Sequence, residues 1–511
     1  MATRQGAANP RNGHELRVSR SRQMPHARET VAVIGLCVMV LAFNVFTASL
    51  FPIPWRNEVD FVDPAVNLVW GKGFSGSTFS WESASDTRAH HPLYSLVLSG
   101  WISLFGFSLG TTRTLNHFLV AMATLLIWFG TVRTDLVRTC ALRLLLAGFL
   151  LCNYSLALAY RAGRVDILSL LLLATAFAVV DVRWRSFRWS VLFLCAALLP
   201  AVGLQNLLFL AVLGAGLFVV GERTHRPDVY VAAVGALCGS TALFGLYAFL
   251  GIADRAASPL MSAIDESAVG TGMFALALPR DPTLWLTLAA MLVWIARSVV
   301  MHRFTWRGID AFGLWMGLAV PAAFLLFFRF PPYYSWMASI PMGLALCAGL
   351  SQNSTESIDA HRAWERSVRQ LVLILIGFAM LGGLPLMTAV SIPHWPERNP
   401  EGVTTWASTL VAPDESVVTV PQAYFALKSP ARTVVLPPHL HQLSADERKE
   451  LSVVVTSPME AAHILGMLPG DWESAGRFLP SHSDPGYWQE LLGRNKIMLR
   501  DYELELYRRV E

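Results

Sequence analysis

The sequence predicts a polytopic α-helical membrane protein with about eleven transmembrane helices and a small C-terminal α/β domain outside the cytoplasm. Of its 511 residues, 54% are hydrophobic and only 15% are charged, whereas soluble domains carry roughly 25% charged residues. Apolar runs of about 20 residues, long enough to cross a bilayer, recur along the chain. The 40 Lys and Arg residues concentrate in short segments between these runs, which is typical of topology determinants and not of a nucleic-acid surface.

The first predicted helix follows a basic tail. Residues 1–30 contain six Arg and neither Lys nor Asp, and an apolar run then extends from Val31 to about Phe51. No small-residue cleavage site follows this run, so we expect an uncleaved first span with residues 1–30 in the cytoplasm. The transmembrane domain is predicted over residues 31–390. Its ten further spans begin near Thr114, Ala141, Ile167, Trp189, Leu204, Val229, Thr283, Ala311, Tyr334 and Leu371.

The orientation depends on one ambiguous apolar stretch, Leu93–Gly110. If this stretch crossed the membrane, Arg-rich loops such as the one around Arg185 would face outward. If it lies on the membrane surface, all the Arg-rich loops face the cytoplasm, which the positive-inside rule favours. The second arrangement predicts a cytoplasmic N-terminus, a long first external loop over residues 51–113 and an external C-terminus, in a plasma (inner) membrane.

The composition changes towards the C-terminus. Charged residues become more frequent, and short β-type runs occur at Ser416–Val420, Thr433–Leu436, Leu451–Thr456 and Lys496–Tyr507. Helical stretches lie between them, and this alternation predicts an extracytoplasmic α/β domain over residues 391–511. The clearest of these helical stretches are Met459–Met467 and Tyr487–Leu492.

The first external loop carries acidic residues on a predicted helix. In Asn57–Phe74, apolar residues recur at helical spacing, which predicts an amphipathic helix at the membrane interface. Glu58 and Asp60 lie at its N-terminal end, and Asp63 is interpreted as a helix-surface charge. The apolar positions are Phe61, Ala65, Leu68 and Val69, and the helix ends at Gly71 and Gly73.

Four further motifs follow in order: His91-Pro92-Leu93-Tyr94, Arg161–Asp166, Pro331–Tyr334 and Tyr502–Tyr507. Together with the acidic helix, they resemble the GT-C superfamily of membrane glycosyltransferases, which includes protein O-mannosyltransferases and lipid A aminoarabinose transferases. The family has a similar His-Pro motif at a second interfacial helix, Ala-Arg-Pro-Asp at an external helix end, and Pro-x-Tyr before a late span. Three positions depart from the pattern. Relatives usually carry Asp at the position of Asn57 and Pro at that of Val165, and this chain has His91-Pro92-Leu93 where the family motif has a second Pro.

The resemblance implies transfer of a sugar from a polyprenyl-phosphate carrier to a lipid, glycan or protein acceptor outside the membrane. Such a reaction needs a carboxylate that deprotonates the acceptor hydroxyl, and cations that stabilise the departing phosphate. Glu58 is the first candidate for this base and Asp60 the second. The alternative is that both acids are solvated charges favoured by the positive end of a helix.

Candidate ligands for the donor phosphate lie elsewhere in the chain. Arg161 and Arg164 occur where a span meets the external interface, and an ionisable residue there is costly unless it is paired or functional. Guanidinium groups bind phosphate oxygens in pairs. The resemblance adds His91 and Tyr333 as phosphate ligands, and Asp166 and Asn57 as supporting residues. The alternative for each arginine is that it snorkels at a helix end. The alternatives for His91 and Tyr333 are a solvated loop residue and an aromatic residue of the interfacial belt.

The sequence predicts no cofactor. Its thirteen histidines form no cluster with metal-ligand spacing, so no dedicated metal site is expected, and a divalent cation stays an open alternative. Two other functions also stay open: a transporter or flippase of a lipid-linked substrate, and an inactive relative that only binds carrier lipid. The expected partners are a polyprenyl-phosphate sugar donor, its acceptor and membrane lipids, with no nucleic acid.

Overall fold

Helices form the membrane part of the chain, and a five-stranded sheet lies in its C-terminal part. The computed structural model describes residues 27–74, 92–220, 226–249, 281–327, 332–352, 359–430, 432–479 and 502–510. The helices of the membrane part are α1 (Ala27–Phe46), α2 (Arg56–Val69), α3 (Pro92–Phe105), α4 (Leu109–Arg133), α5 (Cys140–Cys152), α6 (Tyr154–Arg161), α7 (Asp166–Val179), α8 (Arg185–Val202), α9 (Gln205–Val219), α10 (Arg226–Phe249), α11 (Pro282–Val300), α12 (Ile309–Phe327), α13 (Trp336–Ser351), α14 (Asp359–Leu381) and α15 (Leu384–Ser391).

Within the described ranges, seven helices are long and apolar enough to cross a membrane. The pair α5–α6 makes an eighth if it counts as one broken span, bent by 51°. The break lies at Asn153, whose side-chain oxygen accepts from the Leu156 N–H at 3.1 Å and whose amide donates to Ser339 Oγ at 2.9 Å. Each of the eleven predicted spans coincides with a described helix or this pair. Because α7, α9 and α13 are shorter, the count of eleven stays a prediction.

Helix α4 connects several helices of the membrane part. It packs against α1, α3, α5, α6 and α7, and a larger share of it is buried than of any other span-length helix in the described residues. Ser108 caps its N-terminus by accepting from the Thr111 N–H at 3.0 Å. The buried polar residues Arg113 and Asn116 follow within the first two turns, and they connect α4 to the first loop and to the turn between α6 and α7.

Helix α2 confirms the helix predicted after the first span, and other parts of the protein bury most of it. It ends at Trp70, and Gly71 and Gly73 follow with φ of 72° and 79°, a conformation that glycine adopts without steric cost. Val59 and Val66 are fully buried, and most residues between them are buried too. The helix lies between the membrane bundle and the C-terminal domain, so it has no broad solvated face.

The C-terminal domain is built on a sheet with strand order β2-β1-β3-β5-β4. The first three strands run parallel, and β5 is antiparallel to both β3 and β4. Its elements are α16 (Pro400–Leu410), β1 (Val417–Thr419), α17 (Pro421–Leu427), β2 (Val434–Val435), α18 (Ala445–Lys449), β3 (Val453–Thr456), α19 (Pro458–Leu465), β4 (Asp471–Phe478) and β5 (Leu504–Val510).

The predicted strands around β1, β2, β3 and the end of the chain are confirmed, as is the helix α19. The strand β4 was not predicted, because it is an edge strand with mostly exposed, polar side chains. The predicted helix Tyr487–Leu492 lies outside the described residues. Ile53, in the segment before α2, is buried in the hydrophobic core of this domain. The domain therefore packs directly on the segment between α1 and α2.

Candidate active site

A buried ion pair fixes the first turn of α2. The Arg113 side chain of α4 donates to both carboxylate oxygens of Glu58, with Nε 2.6 Å from Oε1 and Nη2 2.7 Å from Oε2. The remaining nitrogen, Nη1, donates to the Ala48 carbonyl oxygen at 2.8 Å. Neither charged side chain is exposed. This fork-to-fork geometry engages both Glu58 oxygens and ties α2 to α4.

The turn between α6 and α7 packs against this pair. Gly163 has a φ of +61°, and a Cβ added there would lie 3.1 Å from Glu58 Oε1, so both the backbone conformation and the close approach favour glycine. The Tyr94 hydroxyl donates to the Gly163 carbonyl oxygen at 2.9 Å, and Asn116 Nδ2 donates to the Arg164 carbonyl oxygen at 2.8 Å. The turn, which carries Arg164 and is flanked by Arg161 and Asp166, is therefore held by α2, α3 and α4.

Arg161 is buried in this turn, and its N–H groups all have partners in the protein. Nη1 donates to Asn44 Oδ1 at 2.6 Å and Thr47 Oγ1 at 3.0 Å, and Nη2 donates to the carbonyl oxygens of Thr47 at 2.7 Å and Phe51 at 2.9 Å. Nε also donates to the Phe51 carbonyl oxygen, at 3.1 Å. Because a guanidinium group has five N–H donors, these contacts use all of them. Arg161 links α6 to the end of α1, and its contact with phosphate stays a prediction.

Arg164 is equally buried but has a nitrogen without a protein partner. Its Nε donates to Asp166 Oδ2 at 2.7 Å, whereas neither Arg164 Nη1 nor Asp166 Oδ1 has a hydrogen-bond partner among the described residues. A buried donor that is left unsatisfied costs roughly 1–3 kcal/mol. The unsatisfied guanidinium nitrogen therefore marks a place where a ligand oxygen would be stabilised.

Aromatic rings surround the Arg164 guanidinium. Its central carbon lies 3.4 Å from the ring centre of Tyr333 and 5.5 Å from that of Trp55, and these two rings pack edge to face at 5.7 Å. Tyr333 belongs to the short 3-10 turn Pro332–Tyr334. The structure thus brings Tyr333, Arg164 and Asp166 together. His91 lies outside the described residues, so its predicted contact stays a prediction.

Asp60 lies on α2 one helical turn after Arg56. Its Oδ2 is 3.8 Å from Arg56 Nε, and its side chain is 15% exposed, whereas the Glu58 side chain is completely buried. Asn57 is half-buried on the first turn of the same helix. Of the two acids that were candidates for the base, Asp60 is therefore the more exposed.

The interpretation of Asp63 as a helix-surface charge is wrong. Its side chain is fully buried, and Oδ1 accepts hydrogen bonds from Lys428 Nζ at 2.6 Å and from the Tyr424 hydroxyl at 2.5 Å. Both partners come from the C-terminal domain, which covers the outward face of α2. Burial, reinforced by the charge of Asp63, raises the pKa of Tyr424 well above its usual value. Burial and the nearby charge of Lys428 lower the pKa of Lys72.

Tyr502 of the C-terminal domain lies near the Glu58–Arg113 pair. Burial raises the pKa of Tyr502, and the charges of Arg113, Glu58 and Arg398 are close enough to act on it. The Tyr502 hydroxyl has no hydrogen-bond partner among the described residues. The sequence analysis missed Arg113, although an arginine at the start of an apolar span signals a buried partner.

In the described part of the chain, no three His, Cys, Asp or Glu side chains converge as a metal site requires. The predicted absence of a metal stays a prediction.

Comparison with known proteins identifies the fold. No protein-family model matches the sequence, and no curated protein sequence matches it. ArnT from Cupriavidus metallidurans, in a crystal structure with bound undecaprenyl phosphate, is similar over 95% of this chain and 99% of its own chain, with a TM-score of 0.53 and 13% sequence identity.

Two other solved structures are similar at lower TM-scores. The arabinofuranosyltransferase AftD from mycobacteria matches 96% of this chain and 40% of its own, with a TM-score of 0.47 and 13% identity. The archaeal oligosaccharyltransferase AglB from Archaeoglobus fulgidus, in complex with an inhibitory peptide and a dolichol-phosphate, matches 84% and 70%, with a TM-score of 0.44 and 12% identity. The assignment of fold therefore depends on ArnT. This chain has the fold of the GT-C membrane glycosyltransferases, as its motifs implied.

Proposed function

We propose that this protein is a glycosyltransferase that moves a sugar from a polyprenyl-phosphate carrier to an acceptor on the external side of a plasma (inner) membrane. The observation that carries the proposal is the buried Arg164 guanidinium, whose Nη1 has no partner in the described structure and which lies among aromatic rings next to α2. ArnT, which has the same fold, was crystallised with undecaprenyl phosphate, and this supports a lipid-phosphate donor.

Arg164 is the proposed ligand of the donor phosphate. Asp166 holds its Nε at 2.7 Å, and the Tyr333 ring lies against its guanidinium plane, so the orientation of the group is fixed before a ligand arrives. The unpaired Nη1 then donates to a phosphate oxygen, as guanidinium groups do. His91 and Tyr333 are proposed as further phosphate contacts. Arg161 supports this site by holding the turn in place.

Asp60 is the proposed general base. A base needs an oxygen that can reach the proton it removes, and both oxygens of Glu58 are engaged by Arg113 in a buried pair. Asp60 follows Glu58 on the same helix, α2, and its side chain is partly exposed. We therefore assign the base to Asp60 and the anchoring of α2 to Glu58, which reverses the order of preference from the sequence. Asn57 lies beside them as a neutral supporting residue.

The proposed step is a displacement at the C1 carbon of the sugar. Asp60 accepts the proton of the acceptor hydroxyl, and the acceptor oxygen forms the new bond to C1. The bond between C1 and the phosphate oxygen breaks, and the lipid phosphate leaves with the electron pair. Arg164 stabilises the negative charge that develops on this leaving group.

The proposal includes the predicted topology, with eleven spans, a cytoplasmic N-terminus, and α2 and the C-terminal domain outside. This arrangement keeps the acids on the side where lipid-linked sugars replace nucleotide sugars as donors. The acceptor is a lipid, a glycan or a protein.

A turnover assay tests the proposed function. The purified full-length protein is incubated in lipid nanodiscs with a panel of polyprenyl-phosphate sugars, and release of the free lipid phosphate is measured by mass spectrometry. We expect release from at least one donor, and at least tenfold weaker donor binding in Arg164→Gln. Arg138→Gln is the control, because Arg138 is an exposed arginine paired with Asp135 in the loop beyond the C-terminal end of α4.

Two outcomes would contradict the proposal. Donor binding without release across the whole panel would indicate an inactive lipid-binding relative. Movement of an intact lipid-linked sugar across a proteoliposome membrane, without cleavage, would indicate a flippase.

A further inference from the structure

A cavity of about 470 Å³ lies between the C-terminal domain and the beginning of α2. Val420, which directly follows β1, and Leu436, which directly follows β2, are part of its wall. The strands β1, β2 and β3 are parallel, so their carboxyl ends meet at this edge of the sheet. In open α/β sheets, ligands commonly bind at the carboxyl ends of the parallel strands.

Helix α19, which follows β3, presents a polar face to this cavity. Glu460, His463 and Ile464 line the cavity, and their spacing places them on one side of this helix. Met467, just after the helix, lines the cavity as well. Glu460 and His463 are both exposed. His441, from the 3-10 turn Pro437–Gln442 after β2, is exposed and lines the cavity as well.

The cavity is completed by a residue from outside the C-terminal domain. Arg56, on the first turn of α2, belongs to its lining, and its side chain is 51% exposed. Arg56 Nε is 3.8 Å from Asp60 Oδ2. A molecule bound in the cavity against Arg56 therefore contacts the residue that is paired with the proposed base.

The polar lining defines the class of ligand. Arg56, His441 and His463 supply hydrogen-bond donors, and the Arg56 fork matches the paired oxygens of a phosphate or a carboxylate. Glu460 supplies acceptor oxygens that suit sugar hydroxyl groups. The rest of the wall is apolar, as is usual for small-molecule sites.

We infer that this cavity binds the acceptor, and that the acceptor presents there a sugar with an anionic group, either a phosphate or a carboxylate. The inference depends on the proposed function, because it places the acceptor next to Asp60. Arg56 binds the anionic group, and Glu460 and the two histidines bind the sugar hydroxyls. The acceptor hydroxyl that attacks the donor then points along α2 towards Asp60.

Ligand-observed NMR on the full-length protein in detergent tests this inference with three probes: glucose 1-phosphate, glucuronate and glucose. We expect saturation transfer to at least one of the two acidic sugars and much weaker transfer to glucose. The acidic probe that binds better identifies the anionic group. The affinity for it should fall about tenfold in Arg56→Gln and about threefold to tenfold in a His441→Gln, His463→Gln double variant.

The two variants separate binding from catalysis. Arg56→Gln also changes the surroundings of Asp60, because Arg56 Nε is 3.8 Å from Asp60 Oδ2, whereas His441 and His463 belong to the C-terminal domain. The histidine double variant should therefore raise the KM for an acceptor and leave kcat and donor binding unchanged. Arg138→Gln is the matched control and should bind the probes like the wild type.

Equal binding of glucose and the acidic sugars, or unchanged affinity in both cavity variants, would overturn the inference. So would the absence of binding by any probe. Each of these results leaves the proposed function intact if the wild type still releases lipid phosphate from a donor. Bound probes together with no donor release would instead contradict the proposed function.

Discussion

Arg161 and Arg164 lie in the same turn between α6 and α7, both are almost completely buried, and both contact aromatic rings. Their hydrogen bonding differs. Arg161 uses all its N–H groups on α1 and the segment after it, whereas Arg164 keeps one nitrogen without a partner among the described residues. Burial alone therefore does not distinguish an arginine whose donors are all satisfied from one that has a donor left for a ligand.

The two acids at the start of α2 repeat this difference. Glu58 is buried and both its oxygens are bound by Arg113, whereas Asp60 is partly exposed beside Arg56. We call Glu58, Arg113 and Arg161 the scaffold group, and Asp60, Arg164 and Arg56 the ligand group. The scaffold group should determine the stability of the protein, and the ligand group should determine its binding and turnover.

The largest effect on stability is expected for Arg113→Gln. This change leaves the Glu58 carboxylate buried without its cationic partner, and breaking a buried ion pair in this way costs about 3–5 kcal/mol. Denaturant unfolding of the purified protein measures the free energy of unfolding. Arg138→Gln, which removes an exposed ion pair, should change it by less than about 1 kcal/mol. Equal stability in the two variants would place Glu58 and Arg113 outside the scaffold group.

Lysine substitution should mainly lower stability at Arg161 and mainly lower carrier-lipid affinity at Arg164. Arg161→Lys loses several hydrogen bonds from a charged donor, each worth about 1.5–3 kcal/mol, so the free energy of unfolding should fall by about 2 kcal/mol or more. Arg164→Lys keeps the charge but loses the planar fork, so carrier-lipid affinity should fall about tenfold with a smaller loss of stability. Denaturant unfolding and carrier-lipid binding are measured for both variants. A larger loss of affinity in Arg161→Lys together with a larger loss of stability in Arg164→Lys would contradict the assigned roles.

A smaller effect is expected for Gly163→Ala. The φ of +61° and the approach of Glu58 to 3.1 Å from an added Cβ should lower the free energy of unfolding by about 1–2 kcal/mol. Gly100→Ala is a matched control, because Gly100 lies within α3 with open space around it. Alanine should be neutral or stabilising there. A Gly163→Ala protein as stable as the wild type would show that the space beside the Glu58 carboxylate accommodates a Cβ at position 163.

The sequence predicted those features of the fold that arise from local pattern. Hydropathy located the helices from α1 to α14, and β-type runs located β1, β2, β3 and part of β5. The polar edge strand β4 lacks such a run, so it was missed. The amphipathic pattern in α2 identified a helix but not its surroundings, because the C-terminal domain that covers it lies far away in the sequence.

The candidate site was only partly predictable for the same reason. The motifs identified Glu58, Asp60, Arg164 and Tyr333 as candidate site residues. They did not identify the contacts that distinguish the roles of these residues. Arg113 lies 55 residues from Glu58 along the chain, and Tyr424 lies 361 residues from Asp63. Whether a carboxylate is bound on both oxygens or reaches solvent depends on such long-range contacts, and a single sequence does not reveal them.

The most direct test of the account compares Asp60→Asn with Glu58→Gln in the donor-release assay. Asp60→Asn should lower kcat by about 10²–10⁴-fold, the usual cost of losing a general base, with donor affinity and unfolding free energy close to those of the wild type. Glu58→Gln should lose stability, and its folded fraction should keep a kcat within about tenfold of the wild type. Wild-type turnover in Asp60→Asn, together with a loss of kcat in folded Glu58→Gln, would contradict the assignment and return the role of base to Glu58.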